Sequence, residues 1–368
     1  MKIKGWKCKF YLAAALILAG LSATGQTFEK SRSVREGFKI TPNVEVQVIN
    51  KYGDVHLVPW EKDSVIFDIQ FTVTSNKQTK VDKTFEYVDF EFKPTAYYVI
   101  AQTVFQGQNT FWTEMTDMAN TIFSGGTNTR IDYTVYFPKD NAVKIENKFG
   151  NIFTTEHSGK VDITLSNGDI KAYAFLGPTK LKIDFGNITI DEIVNATMTL
   201  GYTEMNVENA GELIMETRSS KLYITSCQKL HLDSKRDRIY ITNAGDISGD
   251  LFFSYLSLDE AGSKINLKTN YGDIKVLDVT DGFLRMDFSS QNSDVTLYLD
   301  EDHLFDMEIT RDDRSEVVSS VSMISKNEVP VEGDEKLYHA ICTAGKQGKQ
   351  RVPVIINLKS GKLYLMGK

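Results

Sequence analysis

A short phrase recurs along this chain: an aromatic residue or Asn, then Gly, then Asp or Asn, then a β-branched residue. It reads Tyr52-Gly53-Asp54-Val55, Phe149-Gly150-Asn151-Ile152, Asn167-Gly168-Asp169-Ile170, Phe185-Gly186-Asn187-Ile188 and Tyr271-Gly272-Asp273-Ile274. Degenerate copies are expected at Thr203, Ser220, Asp237, Ser263, Ser293 and Gly361. The longest regular run passes from Gly150 through Gly168, Gly186, Thr203 and Ser220 to Asp237. A near-constant period of about 17–18 residues predicts a β-solenoid, in which each repeat is one turn of a stack.

The apolar residues keep step with the phrase. With its Gly as position zero, they fall at −7, −5 and often −3, then at +2 and +4. Around Gly168 these are Val161, Ile163 and Leu165, then Ile170 and Ala172. Around Ser220 they include Leu213, Met215, Leu222 and Ile224. Leu256, Leu258, Ile265 and Leu267 are read the same way around Ser263, and Val354 to Leu365 around Gly361 as the last repeat. Alternation at period two marks a strand with one buried face. Each repeat thus reads as strand, tight corner, strand. Gly is expected to supply a positive φ at the corner, and Asp or Asn to cap the turn with its side chain.

Three outward columns are candidate surfaces. The aromatic column at −1 (Tyr52, Phe149, Phe185, Tyr202, Tyr271) should stack on the flank, either as packing or as a glycan-binding stripe. A calcium ladder from the Asp/Asn column at +1 is disfavoured: Lys221, Arg238 and Lys264 interrupt it, and the Gly-rich nonapeptide of calcium solenoids is missing. At −4, Glu216, Asp233 and Asp259 follow one another, with Arg218 and Lys235 beside them and His231 nearby. This cluster reads either as a paired-carboxylate site for polysaccharide cleavage or as a solvated ladder of opposite charges.

No stronger chemical motif is present. The five His (His56, His157, His231, His303, His339) form no helical metal-ligand pair, and there is no Gly-rich phosphate loop, G-x-S-x-G elbow or Cys-x-x-Cys. The expectation is no catalytic, cofactor-binding or metal residues.

Residues 1–25 read as a secretory signal. Lys2, Lys4, Lys7 and Lys9 precede an apolar core from Phe10 to Leu21, and Ala23-Thr24-Gly25 offers small residues for cleavage. A signal anchor is the competing reading. Loss of those lysines moves the formal charge from −7 to −11, which argues against nucleic acid or anionic membrane as a partner. Cys227 and Cys342 would then lie several turns apart, at about 4.8 Å per turn. A disulfide needs Cα atoms within about 7 Å, so two buried thiols are expected.

Residues 26–368 should form one domain with two irregular parts. Residues 60–138 separate the first repeat from the second. Val65, Phe67, Ile69, Phe71 and Val73 alternate there as a strand, and Ser75 with Gln78 suggests a capping box for a short helix bearing Val81, Phe85 and Val88. Phe111, Trp112, Met115, Met118, Ala119, Ile122 and Phe123 fit one face of a second helix. That helix should cover the open end of the stack, or else offer a partner-binding face. A second irregularity is expected from Asn243 to Tyr255, where the step from Asp237 to Ser263 is longer than the others. Residues 300–350 should form the far cap, with Phe305, Met307 and Ile309 in one strand.

The phrases Asn50-Lys51-Tyr52-Gly53-Asp54-Val55 and Thr269-Asn270-Tyr271-Gly272-Asp273-Ile274, with Trp60-Glu61-Lys62-Asp63 and a long strand after the first, resemble the putative-adhesin family of exported bacterial β-solenoid proteins. The resemblance covers most of the chain and implies fold rather than site, since its motif consists of turn residues.

The expected fold is therefore all-β: a right-handed solenoid of about 17–18 residues per turn, with a small α/β insertion near its N-terminal end. The expected function is a non-enzymatic adhesin or cell-envelope scaffold, exported to the periplasm or cell surface, with glycans or envelope proteins as partners. A polysaccharide lyase or hydrolase and a periplasmic sensing or assembly module are the alternatives.

Overall fold

The computed structural model describes residues 27–106, 126–300, 303–321, 323–345 and 350–368. The signal segment at 1–25 and the helix expected over 111–123 lie outside the described residues. Nearly all of the described chain is strand, gathered in one 23-stranded sheet that is not closed into a barrel. Gln78–Tyr87 is the one helix among the described residues.

The chain divides into two compact units. One comprises the described parts of Met1–Ser33, Gln70–Asp89 and Val104–Arg130; the other comprises Val34–Ile69, Phe90–Thr103 and Ile131–Lys368. In the first, the helix buries Val81, Thr84 and Tyr87. Phe71 stacks on Phe85 at 4.9 Å between ring centroids, and Lys30 pairs with Asp82 at 3.2 Å. The capping box does not form: Lys77 is the N-cap and gives no side-chain bond. Ser75 Oγ instead donates to the Gly126 carbonyl at 3.1 Å. The helix starts two residues later than the box requires, with a lysine at the N-cap that offers no acceptor.

The second unit is built from parallel rows. Val161 pairs with Thr179, Glu204 with Lys221, and Lys221 with Arg238, so each row lies one sequence repeat beyond the last. The strand hydrogen bonding runs unbroken from Ile170 to Arg218, passing through two corners. Because every row repeats the same register, like side chains stack in columns. Val48, Ile145, Ile163 and Leu181 form one such column, none more than 1% exposed. Burying each such side chain contributes roughly 1.5–3 kcal/mol, so the columns carry the stability of this unit.

The corners differ from the expectation in an instructive way. The positive φ belongs to the residue before position zero: Tyr52 (68°), Phe149 (61°), Phe185 (60°), Tyr202 (54°) and Tyr271 (55°) are all left-handed. The Gly is required for close approach instead. A Cβ on Gly150 would lie 1.9 Å from the Gly53 carbonyl oxygen, and one on Gly168 would lie 2.0 Å from that of Gly150.

The Asp/Asn at +1 caps its neighbour's turn rather than its own. Asp169 donates its backbone N–H to Asn151 Oδ1 at 2.9 Å, and Asn187 donates to Asp169 Oδ1 at 2.8 Å. From Thr203 to Ser254 position zero carries a buried side chain, and that side chain takes over the bridging. Thr203 N donates to Ser220 Oγ at 3.2 Å, Ser220 N to Asp237 Oδ1 at 2.6 Å, and Asp237 N to Ser254 Oγ at 3.1 Å.

That last bond exposes a misplaced corner. The turn lies at Phe253-Ser254, with φ 53° at Phe253, and Ser263 is not a corner. Ser254 stands one ordinary repeat after Asp237 and one before Gly272. The long step therefore does not exist, but an irregularity does fall inside the 243–255 span. The irregularity is a register shift in the pairing of Ala244 and Asp246 with Ala261 and Lys264.

At both ends the spatial order departs from the chain order. Glu45–Lys51 and Val55–Trp60 pair on one side with Val143–Lys148 and Ile152–His157. On the other side they pair with Tyr98–Phe105 and Thr127–Pro138. Similarly, Gln350–Lys359 and Lys362–Gly367 pair directly with Arg285–Gln291 and Asp294–Leu299. The Gly361 row is not the last: His303–Asp312 and Glu316–Ser319 pair with its other edge. Asp334–Ala344 then adds antiparallel to His303–Asp312. Cys227 and Cys342 are buried and form no disulfide.

Candidate binding surface on the corner column

The left-handed residues of successive corners project in one column. Their rings stack in pairs with nearly parallel planes: Tyr52 on Phe149 at 5.5 Å and 8°, Phe185 on Tyr202 at 4.9 Å and 2°, and Phe253 on Tyr271 at 4.9 Å and 10°. A left-handed backbone costs an L-residue roughly 1–2 kcal/mol. Ring stacking offsets about 0.5–1.5 kcal/mol of that, which explains aromatic residues where glycine would be easier. Tyr52 is only partly exposed, but the other rings are about half exposed, from 42% at Phe149 to 52% at Phe185. Phe253 belongs to this column although no recognisable phrase marks it in the sequence. Its signal was the pair Leu256 and Leu258 at +2 and +4 from Ser254.

Cations accompany the rings. Lys51 lies over Tyr52, Lys148 over Phe149 and Arg218 over Tyr202, at 5.1, 5.2 and 5.2 Å from the ring centroids. The column is interrupted at Asn167 and again at Ser219 and Arg236, which share the left-handed backbone but carry no ring. At the second interruption a groove of about 690 Å³ opens, lined by Phe185, Tyr202, Ser219, Lys221, Arg236 and Arg238. Glu204 is its one lining carboxylate. A smaller polar groove of about 320 Å³ lies elsewhere on this unit, between Glu192, Asn195, Asn209, Glu212 and Lys229.

The polar cluster proposed for catalysis is brought together only in part. Glu216 and Asp233 are register partners on adjacent strands, as are Arg218 and Lys235. His231 Nδ1 lies 3.1 Å from Ser248 Oγ, and its Nε2 lies 3.8 Å from Asp233. Asp259 does not belong to the column, because it follows the Ser254 corner. The residue four before that corner is Asp250, which pairs with Lys268 at 3.8 Å. His231 and Asp233 are 51% and 58% exposed at the side chain, and neither groove contains Glu216 or Asp233. Both carboxylates therefore lie on an open sheet face outside both grooves. Among the described residues no group of three or more His, Cys, Asp or Glu is arranged to hold a metal ion.

Two deeply held groups stand apart from this surface. Burial pushes the His157 pKa down to about 4; contacts with the Lys160 and Asn141 backbone and the nearby Asp140 pull upward more weakly. At Asp312, burial works to raise the pKa, but hydrogen bonds from Ser315, the Ser360 N–H and Arg314 prevail and hold it at about 2.

Comparison with known proteins places few constraints on the chain. No family model and no curated protein matches it. Among solved structures, it is similar to a protein of Clostridium sporogenes described as a "putative cell adhesion protein". The identity is 10%, over 92% of this chain and 100% of that one, with a TM-score of 0.18. A "putative adhesin" of Parabacteroides distasonis is 11% identical over 72% of this chain and 92% of its own, with a TM-score of 0.29. A "putative lipid binding protein" of the same organism is 10% identical over 90% and 96%, with a TM-score of 0.29.

Proposed function

We propose that this chain is an exported, non-enzymatic β-solenoid that acts as an adhesin or cell-envelope scaffold, holding extended glycans or envelope proteins along its corner column. The solenoid reading rests on parallel pairing at a constant offset of one sequence repeat. Within that repeat the return segment is itself strand, where an ordinary parallel sheet would use a helical crossover. Residues 1–25 are the export signal in this account. Within the larger unit, the rows outside the Gly53 and Gly361 corners serve as its end caps in this reading.

The observation that carries the functional reading is the register-matched column of half-exposed rings with cations beside them. A repetitive surface binds an extended partner by summing many weak contacts. Protease shaving of intact cells tests the placement. Loss of the protein from intact cells supports a surface adhesin, and survival until the outer membrane is breached puts the scaffold in the periplasm.

One observation favours a second reading, a polysaccharide lyase or hydrolase: the register pairing of Glu216 with Asp233. Release of reducing ends from a polysaccharide panel, abolished in Glu216→Ala, would support it.

A further inference from the structure

Beyond the general column, the groove at its interruption has a chemistry of its own. We propose that it binds an acidic saccharide, with the carboxylate or sulfate of a sugar held by Arg236, Arg238 and Lys221 beside the Phe185–Tyr202 ring pair. This deepens the glycan-binding reading above and rests on it.

Elsewhere in the stack the +1 positions hold the rows together. In the early rows the +1 residue is Asp54, Asn151 or Asp169, whose side-chain oxygen accepts the neighbouring backbone N–H. From Thr203 to Ser254 the buried side chain at position zero makes that bridge. The +1 position is thereby released from structural duty, and the sequence fills it with Glu204, Lys221 and Arg238. Arg236 likewise occupies a left-handed corner position, φ 62°, and its exposed side chain stands beside the released +1 positions.

Lys221 is the register partner of Glu204, which leaves the two arginines as the site's free cations among the described residues. Among the described residues neither Arg236 nor Arg238 forms an ion pair. Lys221 lies over the Tyr223 ring at 4.8 Å. Three cations against the single lining carboxylate Glu204 make this a local positive site on a chain of net charge −7. Guanidinium groups bind planar carboxylates and sulfates through paired hydrogen bonds. The groove volume of about 690 Å³ falls within the range of about 300–1,000 Å³ usual for small-ligand sites.

The test measures binding of the purified chain to four immobilised probes at low and physiological salt: oligogalacturonate, a sulfated chondroitin oligosaccharide, a neutral cello-oligosaccharide and a single-stranded oligonucleotide. The expected result is binding to one or both acidic sugars, weakened at least about tenfold in Arg236→Gln/Arg238→Gln. Arg236→Lys/Arg238→Lys should retain part of the affinity, and Lys268→Gln, outside the groove, should retain all of it. The galacturonate and chondroitin arms separate carboxylate from sulfate recognition. Equal binding of the neutral sugar, unchanged in the Gln variant, overturns the acidic reading and leaves glycan binding intact. No binding to any sugar overturns both, and preference for the oligonucleotide overturns the saccharide assignment. Thermal melts of each variant exclude unfolding as the cause.

Discussion

Asn151 donates its backbone N–H to the Asp54 side chain at 2.8 Å, although the two stand far apart in the chain. The bond ties the first corner to the next Gly-Asx corner in the chain and is repeated from row to row by Asn151 and Asp169. It shows what the recurring Asp or Asn is for: each row completes the backbone bonding of its neighbour. Four consequences can be measured.

Gly168→Ala should destabilise the fold by more than about 3 kcal/mol, because its Cβ would lie 2.0 Å from the Gly150 carbonyl oxygen. Gly282 provides the contrast. Its φ is +90° but no atom lies within 4 Å of an added Cβ, so Ala there should cost only about 1–2 kcal/mol. Urea midpoints of the two variants check the difference, and equal losses would contradict the close-approach account.

Asp237 accepts bonds from Thr217 Oγ1, Ser234 Oγ, Ser220 N and Lys235 N, at 2.6, 2.6, 2.6 and 3.0 Å. Asp237→Ala leaves those buried donors unsatisfied and should cost about 3–5 kcal/mol. Asp54→Ala removes a part-buried acceptor and should cost about 1–2 kcal/mol. Chemical denaturation of both variants reads the order directly.

Stability should fall as the pH drops through the weakly acidic range. His157 is buried neutral with a pKa of about 4, against about 6.5 when unfolded. The unfolded chain therefore binds the proton first. Stability is full above about pH 6.5, declines from there to about pH 4, and the total loss is on the order of 3 kcal/mol. His157→Leu should flatten this segment of a melting-temperature profile. Asp312, held at about 2, behaves as a depressed carboxylate: its contribution is present above its unfolded value near 3.9 and is lost toward pH 2.

Both thiols should resist modification in the native protein. Cys227 is 3% and Cys342 2% exposed, and burial pushes the Cys227 thiol up to about 11, which suppresses the reactive thiolate. Labelling should be slow until denaturant is added, then reach both. A band shift on reduction would contradict the absence of a bridge.

Much of the row architecture is legible in the sequence, because period, alternation and turn residues all point the same way. The missed corner shows the limit. Before Ser254, the −5 position holds Gly249 rather than an apolar residue, so the alternation breaks where it was needed and Ser263 offers the better local match. The identity of the left-handed residue is hidden for a different reason. Glycine is the intrinsic choice for positive φ, and only the stacking of Phe185 on Tyr202 reveals why an aromatic residue stands there instead. The displaced rows at the two ends leave no local trace. Val295 pairs with Leu363 and Val55 with Tyr133, and no short-range pattern encodes a partner that distant. The groove is invisible in the sequence because it depends on positions that a change of corner chemistry released, and this emerges only once the bridging bonds are known.

The most direct test of the account is a glycan array probed with the wild-type chain and with a Tyr202→Ala/Phe253→Ala variant that retains its melting temperature. The account predicts binding to extended saccharides that strengthens with chain length and is lost in the variant. Absence of glycan binding by the wild type, or equal binding by the variant, would contradict the assignment of the corner column as the binding surface.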